Sequence, residues 1–128
     1  MQRIRILSLV TALAFAGAAV TASAGQRDVI PVEINGTSVQ GVLADARGSA
    51  DNRQYIGCYT TEYFGLCHAV DAAGQARGCT TRDPEQLAVM RSISSDSIVG
   101  FHSNKEGTCD SVRVGSYSVY RSAVMSGY

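Results

Sequence analysis

The sequence has no tryptophan, only two prolines and no excess of charge of either sign. Eleven Lys and Arg residues balance eleven Asp and Glu residues, and the charges are interspersed along the chain. Without a basic patch, the chain lacks the electrostatic footprint that nucleic acid or an anionic membrane surface would require. We therefore expect no nucleic-acid partner, and we look for function in a small, nearly neutral domain.

The motifs that mark common catalytic and cofactor sites are also missing. There is no G-x-S-x-G nucleophile elbow, no D-x-D-x-D-G calcium loop and no glycine-rich phosphate loop before a helix. A metal site could combine the cysteines with His68 and His102, but the C-x-x-C spacing typical of such sites is absent. The sequence predicts no metal and no cofactor, and it favours a non-enzymatic role over an enzyme.

The first 24 residues have the three-part pattern of a secretory signal peptide. Arg3 and Arg5 precede an uncharged apolar run over residues 6–20, and Ala22 and Ala24 occupy the −3 and −1 positions of a cut after Ala24. The run is shorter than the ~20 residues of a spanning helix, and no second run of that length follows. We predict a signal peptide over residues 1–24, a single exported domain over residues 25–128 without a transmembrane segment, and a periplasmic or extracellular bacterial location.

The predicted export determines how we interpret the four cysteines, which are Cys58, Cys67, Cys79 and Cys109. An even number in a small exported domain indicates two disulfides, each worth about 2–4 kcal/mol. Strand pairing leaves the connectivity open, because Cys67 lies opposite Cys79 in one predicted hairpin and can lie opposite Cys58 in the preceding one. We prefer Cys58–Cys67 with Cys79–Cys109, because directly opposed cross-strand bonds are often strained and the second bond would tie the two halves together. The alternative is Cys67–Cys79 with Cys58–Cys109.

Runs of β-branched residues separated by turn residues predict an antiparallel sheet. Asn35-Gly36, between residues 29–34 and 37–43, is the strongest short hairpin signal and favours a type I′ turn, while Pro31 places the first strand at an edge. The loop Asp71-Ala72-Ala73-Gly74 predicts a type I turn with a G1 bulge. The remaining predicted strands cover residues 53–60, 64–70, 75–81, 97–102, 108–114 and 117–120.

One helix start is clear. Asp83 can cap it, Pro84 suits its first position, and Gln86 completes a capping-box-like pattern. One apolar face is formed by Leu87, Met90 and Ile93. The predicted fold is therefore α+β: a mostly antiparallel β-sheet, either a curled sheet or a small barrel, stapled by disulfides and carrying one short helix near residues 84–93.

The two histidines suggest a first candidate site. In one register of the last hairpin His102 faces Asp110, whereas a four-residue loop would place Phe101 there. Ser103 points away from its neighbour, since adjacent strand residues face opposite sides. A small secreted hydrolase that uses His68 or His102 with a nearby Asp or Ser is one hypothesis.

The tyrosines suggest a second candidate site, a binding face. Tyrosine offers a large contact area at low entropic cost and is enriched at interfaces, although it is also an ordinary strand residue with a half-buried ring. The residues of this candidate face are Tyr55, Tyr59, Tyr117 and Tyr120.

Two stretches carry a family resemblance. Cys67-His68-Ala69-Val70-Asp71-Ala72-Ala73-Gly74 precedes Cys79-Thr80-Thr81, and Ser95-Asp96-Ser97-Ile98-Val99-Gly100-Phe101 precedes Gly107-Thr108-Cys109. From Gly41 to Val119 the chain resembles small secreted Gram-negative proteins with cysteine-bearing strands and no assigned function. The resemblance implies export and disulfides, and it implies no activity and no catalytic residues.

The function that we expect from these features is that of an exported, non-enzymatic module that binds or inhibits another macromolecule or an envelope component. An exposed edge strand would allow such a module to recruit a protein partner by β-augmentation. The alternatives are the small hydrolase and a structural component of the envelope. The sequence specifies no oligomeric state.

Overall fold

Residues 28–120 are described by the structure, a computed structural model of the chain. The predicted signal peptide and the tail from residue 121 onward lie outside the described residues. In chain order the elements are β1 (Glu33–Asn35), β2 (Ser38–Val42), α1 (Leu43–Arg47), β3 (Tyr55–Thr60), β4 (Gly65–Val70), β5 (Ala76–Thr81), α2 (Pro84–Arg91), β6 (Ile98–Ser103), β7 (Cys109–Gly115) and a short 3₁₀ turn (Ser118–Tyr120). None of the described helices has the length and apolar character needed to cross a membrane.

The strands form two antiparallel sheets. The first has four strands in the order β1-β2-β6-β7, and the second has three strands in the order β3-β4-β5. The sheets meet at one corner, where the backbone N–H of Thr80 donates to the carbonyl of Gly107 at 2.8 Å and Thr80 bridges Thr108. The sheets are curled and do not close into a barrel. The predicted α+β class is therefore confirmed, and of its two predicted forms the curled sheet is the one observed.

The core lies between the inward faces of the two sheets. Val39 and Phe101 of the first sheet and Cys67 of the second are fully buried, because alternate residues of each strand point inward. Leu87 and Met90 of α2 pack into the same cluster.

The first hairpin is confirmed, but its turn lies one residue later than Asn35-Gly36. Asn35 pairs with Ser38, so the two central residues are Gly36 and Thr37. Gly36 has φ +59°, and the only non-glycine residue with positive φ between residues 28 and 120 is Asn52. Positive φ at the first central position alone is the pattern of a type II′ turn and not of type I′.

Two further local predictions are confirmed. β1 lies at the edge of its sheet, and Pro31 precedes the strand. Gly74 has φ +83°, and the N–H of Asp71 donates to the carbonyl of Gln75 at 3.0 Å, as expected for a turn that ends in a left-handed glycine.

Helix α2 begins as predicted, but its capping box does not form. The Asp83 carboxylate accepts hydrogen bonds from the backbone N–H groups of Glu85 and Gln86 at 2.8 and 3.2 Å. The Gln86 side chain does not return to the cap, because its Nε2 donates to the carbonyl of Cys109 at 3.2 Å. Gln86 thus ties the helix to β7.

Two elements differ from the sequence predictions. Residues 43–47 form α1, although no helix was predicted there, because Ala44 and Ala46 bury small side chains against β3. Residues 118–120 form a 3₁₀ turn in place of the predicted last strand. Strand propensity depends on a partner strand, and no described strand pairs with this segment.

Candidate functional site

Two disulfides, Cys58–Cys67 and Cys79–Cys109, are present in the structure, and these are the two pairs preferred from the sequence. Cys58 and Cys67 are themselves direct partners across β3 and β4, so direct opposition does not distinguish the preferred pairing from its alternative. Their Cα atoms are 4.0 Å apart, the close spacing of a non-hydrogen-bonded antiparallel pair. Because hydrogen bonding alternates along each strand, Cys67 then pairs with Cys79 in the wider, hydrogen-bonded geometry.

The two disulfides have different structural roles. Cys58–Cys67 closes the β3–β4 hairpin, and Cys79–Cys109 joins β5 of the second sheet to β7 of the first. Both are consistent with an oxidising compartment outside the cytoplasm.

The outward face of the second sheet is uncharged. Burial alternates along β3, β4 and β5, and none of the nine residues that point away from the core is Lys, Arg, Asp or Glu. We call this surface the tyrosine face; it consists of Tyr55, Gly57, Tyr59, Leu66, His68, Val70, Ala76, Gly78 and Thr80.

Large apolar side chains on the tyrosine face are accessible to solvent. Tyr55 is 49% exposed, Tyr59 is 64% exposed and Leu66 is 37% exposed. Together with His68 they line a shallow groove of about 270 Å³ along β3 and β4. The face thus offers both apolar contact area and a concavity in which a partner side chain can lie.

His68 lies at the centre of this face and interacts with Tyr55. The two rings stack with centroids 5.3 Å apart and an interplanar angle of 23°, and the Tyr55 hydroxyl hydrogen-bonds with His68 Nδ1 at 2.6 Å. Gly57 and Gly78 are the register partners of His68 on its two sides. No carboxylate among the described residues hydrogen-bonds with His68, so the arrangement of a catalytic base with an orienting acid is not formed here.

The four tyrosines proposed as one face lie in different places. Tyr55 and Tyr59 both line the groove on the tyrosine face, with Gly57 between them on β3. Tyr117 is 66% exposed and lines a separate groove on the outward side of the first sheet. The side chain of Tyr120 lies outside the described part of the chain. Leu66 and His68 also belong to the face, because they pair with Tyr59 and Gly57 across β3 and β4, and no sequence pattern marks them as part of it.

His102 makes a different set of contacts on the first sheet. Its Nε2 is 2.8 Å from Thr37 Oγ1, and its Nδ1 is 3.3 Å from Asp110 Oδ2. The His102 and Asp110 side chains are 44% and 50% exposed, so the group lies at the surface. Hydroxyl, imidazole and carboxylate follow one another in the order that nucleophilic catalysis uses.

Neither predicted register of the last hairpin is observed. His102 pairs with Ser111 and Phe101 with Val112, and a bulge follows His102. This irregularity brings Asp110 beside the imidazole although the two residues are not register partners. Ser103 does not take part, because it is buried and its hydroxyl donates to the carbonyl of Gly78.

The edge strand β1 and metal binding have weaker structural support as means of interaction. The edge strand β1 has three residues, follows Pro31 and exposes Glu33 and Asn35, all features that protect an edge from pairing with another chain. Within residues 28–120, no three His, Cys, Asp or Glu side chains converge in a way that could hold a metal ion.

The chain was compared with family models, with curated protein sequences and with solved structures, and it matches none of them. The resemblance to small secreted Gram-negative proteins therefore stays a prediction.

Proposed function

We propose that the protein is an exported, non-enzymatic module that binds or inhibits another protein through the tyrosine face. The observation that supports this most is the absence of formal charge from all nine outward residues of β3, β4 and β5. Depletion of charge with enrichment of Tyr is the composition of the buried centre of a protein interface. An anionic lipid surface or nucleic acid would instead need Lys and Arg at this position.

A rigid backbone beneath the tyrosine face favours binding. The Cys58–Cys67 disulfide lies on the inner side of the two strands that carry Tyr55, Tyr59 and Leu66. A surface that is already ordered loses less conformational entropy on association. We expect export to the periplasm or the medium, where such a module would meet proteins of the envelope or of competing cells.

Photo-crosslinking in the producing cells tests this proposal. A photoreactive phenylalanine analogue replaces Leu66 on the tyrosine face, and the matched control carries the same analogue at Lys105, which is exposed in the β6–β7 turn. We expect a discrete protein adduct from position 66 and none from position 105. Absence of an adduct at position 66, or equal adducts at both positions, would contradict the proposal.

A second candidate function, hydrolysis, is favoured by the contacts of His102. This role requires the His102 proton on Nδ1, facing Asp110, so that Nε2 can accept the proton of the Thr37 hydroxyl. Thr37 would be the nucleophile, His102 the general base and Asp110 the orienting acid.

A fluorophosphonate probe, which reacts with activated hydroxyl groups, distinguishes the two candidates. Hydrolysis requires a covalent adduct on Thr37 that is lost in His102→Ala and strongly reduced in Asp110→Asn. The binding proposal requires an unlabelled protein and cross-linking from position 66 that is unaffected by His102→Ala.

A further inference from the structure

On the outward face of the first sheet, one row of paired residues crosses all four strands and ends at Arg113 of β7. Arg113 of β7 pairs with Gly100 of β6, Gly100 pairs with Gln40 of β2, and Gln40 pairs with Glu33 of β1. A Cβ atom added at Gly100 would lie 3.6 Å from both Nε and Nη2 of Arg113. The guanidinium therefore lies beside Gly100, at ordinary van der Waals distance from the position that a Cβ atom would take.

The guanidinium of Arg113 makes no hydrogen bond or ion pair with any residue from 28 to 120. Glu33 is the acid in the same row, but its carboxylate accepts a hydrogen bond from Gln40 Nε2 at 3.0 Å. A planar fork of N–H donors is thus left available, which is the geometry that recognises a carboxylate through two parallel hydrogen bonds.

Apolar side chains line the groove beside this cation, together with the polar side chain of Gln40. Arg113 lines a groove of about 290 Å³ together with Ile98, Gly100 and Tyr117. Gly115, the register partner of Ile98, also lies under the groove: a Cβ there would come 2.9 Å from Ile98 Cγ2 and 3.3 Å from Tyr117 Cε2. Two glycines therefore form the floor, and Ile98 and Tyr117 form the walls beside the guanidinium.

We infer that this groove binds a carboxylate attached to a small apolar group, as at the C-terminus of a peptide whose last residue is apolar. Arg113 would hold the carboxylate, and the apolar part would lie between Ile98 and Tyr117. A single arginine between apolar walls matches a monoanion with an attached side chain better than a fully hydrated dianion such as phosphate. This site lies on the first sheet and the tyrosine face lies on the second, so a test of one proposal does not decide the other.

The test is a titration of the ¹⁵N-labelled protein, monitored at the Nε–Hε resonance of Arg113 by NMR. N-acetyl-leucine carries the required carboxylate, N-acetyl-leucinamide has the same side chain with the charge removed, and inorganic phosphate is the competing anion. We expect saturable shifts with the acid, none with the amide, and binding of phosphate that is weaker by about tenfold.

Two variants complete the test. Arg113→Gln lacks the monitored resonance, so binding to both variants is followed at the backbone amides of Gly100 and Gly115. This variant should bind N-acetyl-leucine about tenfold more weakly or worse, since a charged pair of hydrogen bonds is lost. Arg82→Gln removes the same charge from an exposed loop position between β5 and α2 and should leave the affinity unchanged. Equal binding of acid and amide, stronger binding of phosphate, or an equal loss in Arg82→Gln would each overturn the inference.

Discussion

Gly78 lies directly opposite His68 across β4 and β5, and the imidazole occupies the space that a side chain at Gly78 would need. A Cβ atom at Gly78 would come within 2.9 Å of His68 Cδ2 and 3.1 Å of the Cys67 carbonyl oxygen. Gly57, on the other side of His68, has nothing within 4 Å of the same position. A side chain can therefore be added at Gly57 without a clash, whereas one at Gly78 would collide with the His68 ring.

This difference predicts opposite results for two alanine variants. Gly78→Ala should displace the His68 ring, break its hydrogen bond with Tyr55 and lower the free energy of unfolding by about 1–3 kcal/mol. Gly57→Ala should leave the ring in place and should not lower stability. NMR shifts of the His68 ring and urea unfolding of both variants check the prediction. Equal effects of the two substitutions would show that Gly78 does not position His68.

The two disulfides should contribute unequally to stability. Cys58–Cys67 closes a loop with a separation of 9 residues and Cys79–Cys109 one of 30 residues. Restriction of the unfolded chain then gives about 2.6 and about 3.6 kcal/mol. We expect the Cys79→Ala/Cys109→Ala variant to be about 1 kcal/mol less stable in urea than Cys58→Ala/Cys67→Ala.

Mapping of non-reduced peptides checks the pairing itself. Each of the two pairs should give its own linked peptide that disappears on reduction. A linked peptide that contains Cys67 and Cys79 would contradict the connectivity.

Asp51 makes stability depend on acid pH. The Asp51 carboxylate accepts hydrogen bonds from the side-chain amide of Gln54 and from the backbone N–H of Arg53. These bonds, the first having the larger effect, lower the pKa of Asp51 from 3.8 to about 2. A group with a lowered pKa in the folded state stabilises it above the pKa of the unfolded state. This contribution is complete above pH 3.8 and is lost as the pH falls towards 2.

The carboxyl shift of Asp51, followed by NMR from pH 5 to pH 1.5, checks this pKa. The free energy of unfolding of Asp51→Asn should fall less steeply than that of the wild-type protein between pH 4 and pH 2. A midpoint near 3.8 for Asp51, or parallel profiles for the two proteins, would be inconsistent with the hydrogen bonds at this loop.

Features that depend on neighbouring residues could be predicted from the sequence. The hairpins around Gly36 and Gly74 follow from turn chemistry, and the start of α2 follows from Asp83 and Pro84. Helix α1 could not be predicted because the sequence contains no capping residue at its start. Val42 precedes the helix directly, and the apolar run of β2 continues into Leu43. Its helical form depends on burial against β3, which is not encoded by a local pattern.

The candidate sites were harder to predict because they depend on non-local pairing. Thr37 and His102 are 65 residues apart and meet only because β2 pairs with β6. The groove at Arg113 requires Gly100 to lie beside it across β6 and β7. The Tyr55–His68 contact is more local, but a sequence pattern does not reveal that Gly78 leaves room for the ring.

The most direct test of the tyrosine face as a binding surface compares the affinity of the partner captured from position 66 for wild-type protein, Tyr59→Ala and Tyr63→Ala. Tyr59 is 64% exposed and lines the groove, whereas Tyr63 is 71% exposed and does not line it. If the tyrosine face is the binding surface, Tyr59→Ala should raise Kd by about 30-fold, the effect of an interface hot spot, and Tyr63→Ala should change it by less than about threefold. An unchanged Kd for Tyr59→Ala, or an equal loss for both variants, would contradict the proposal that the tyrosine face binds a protein.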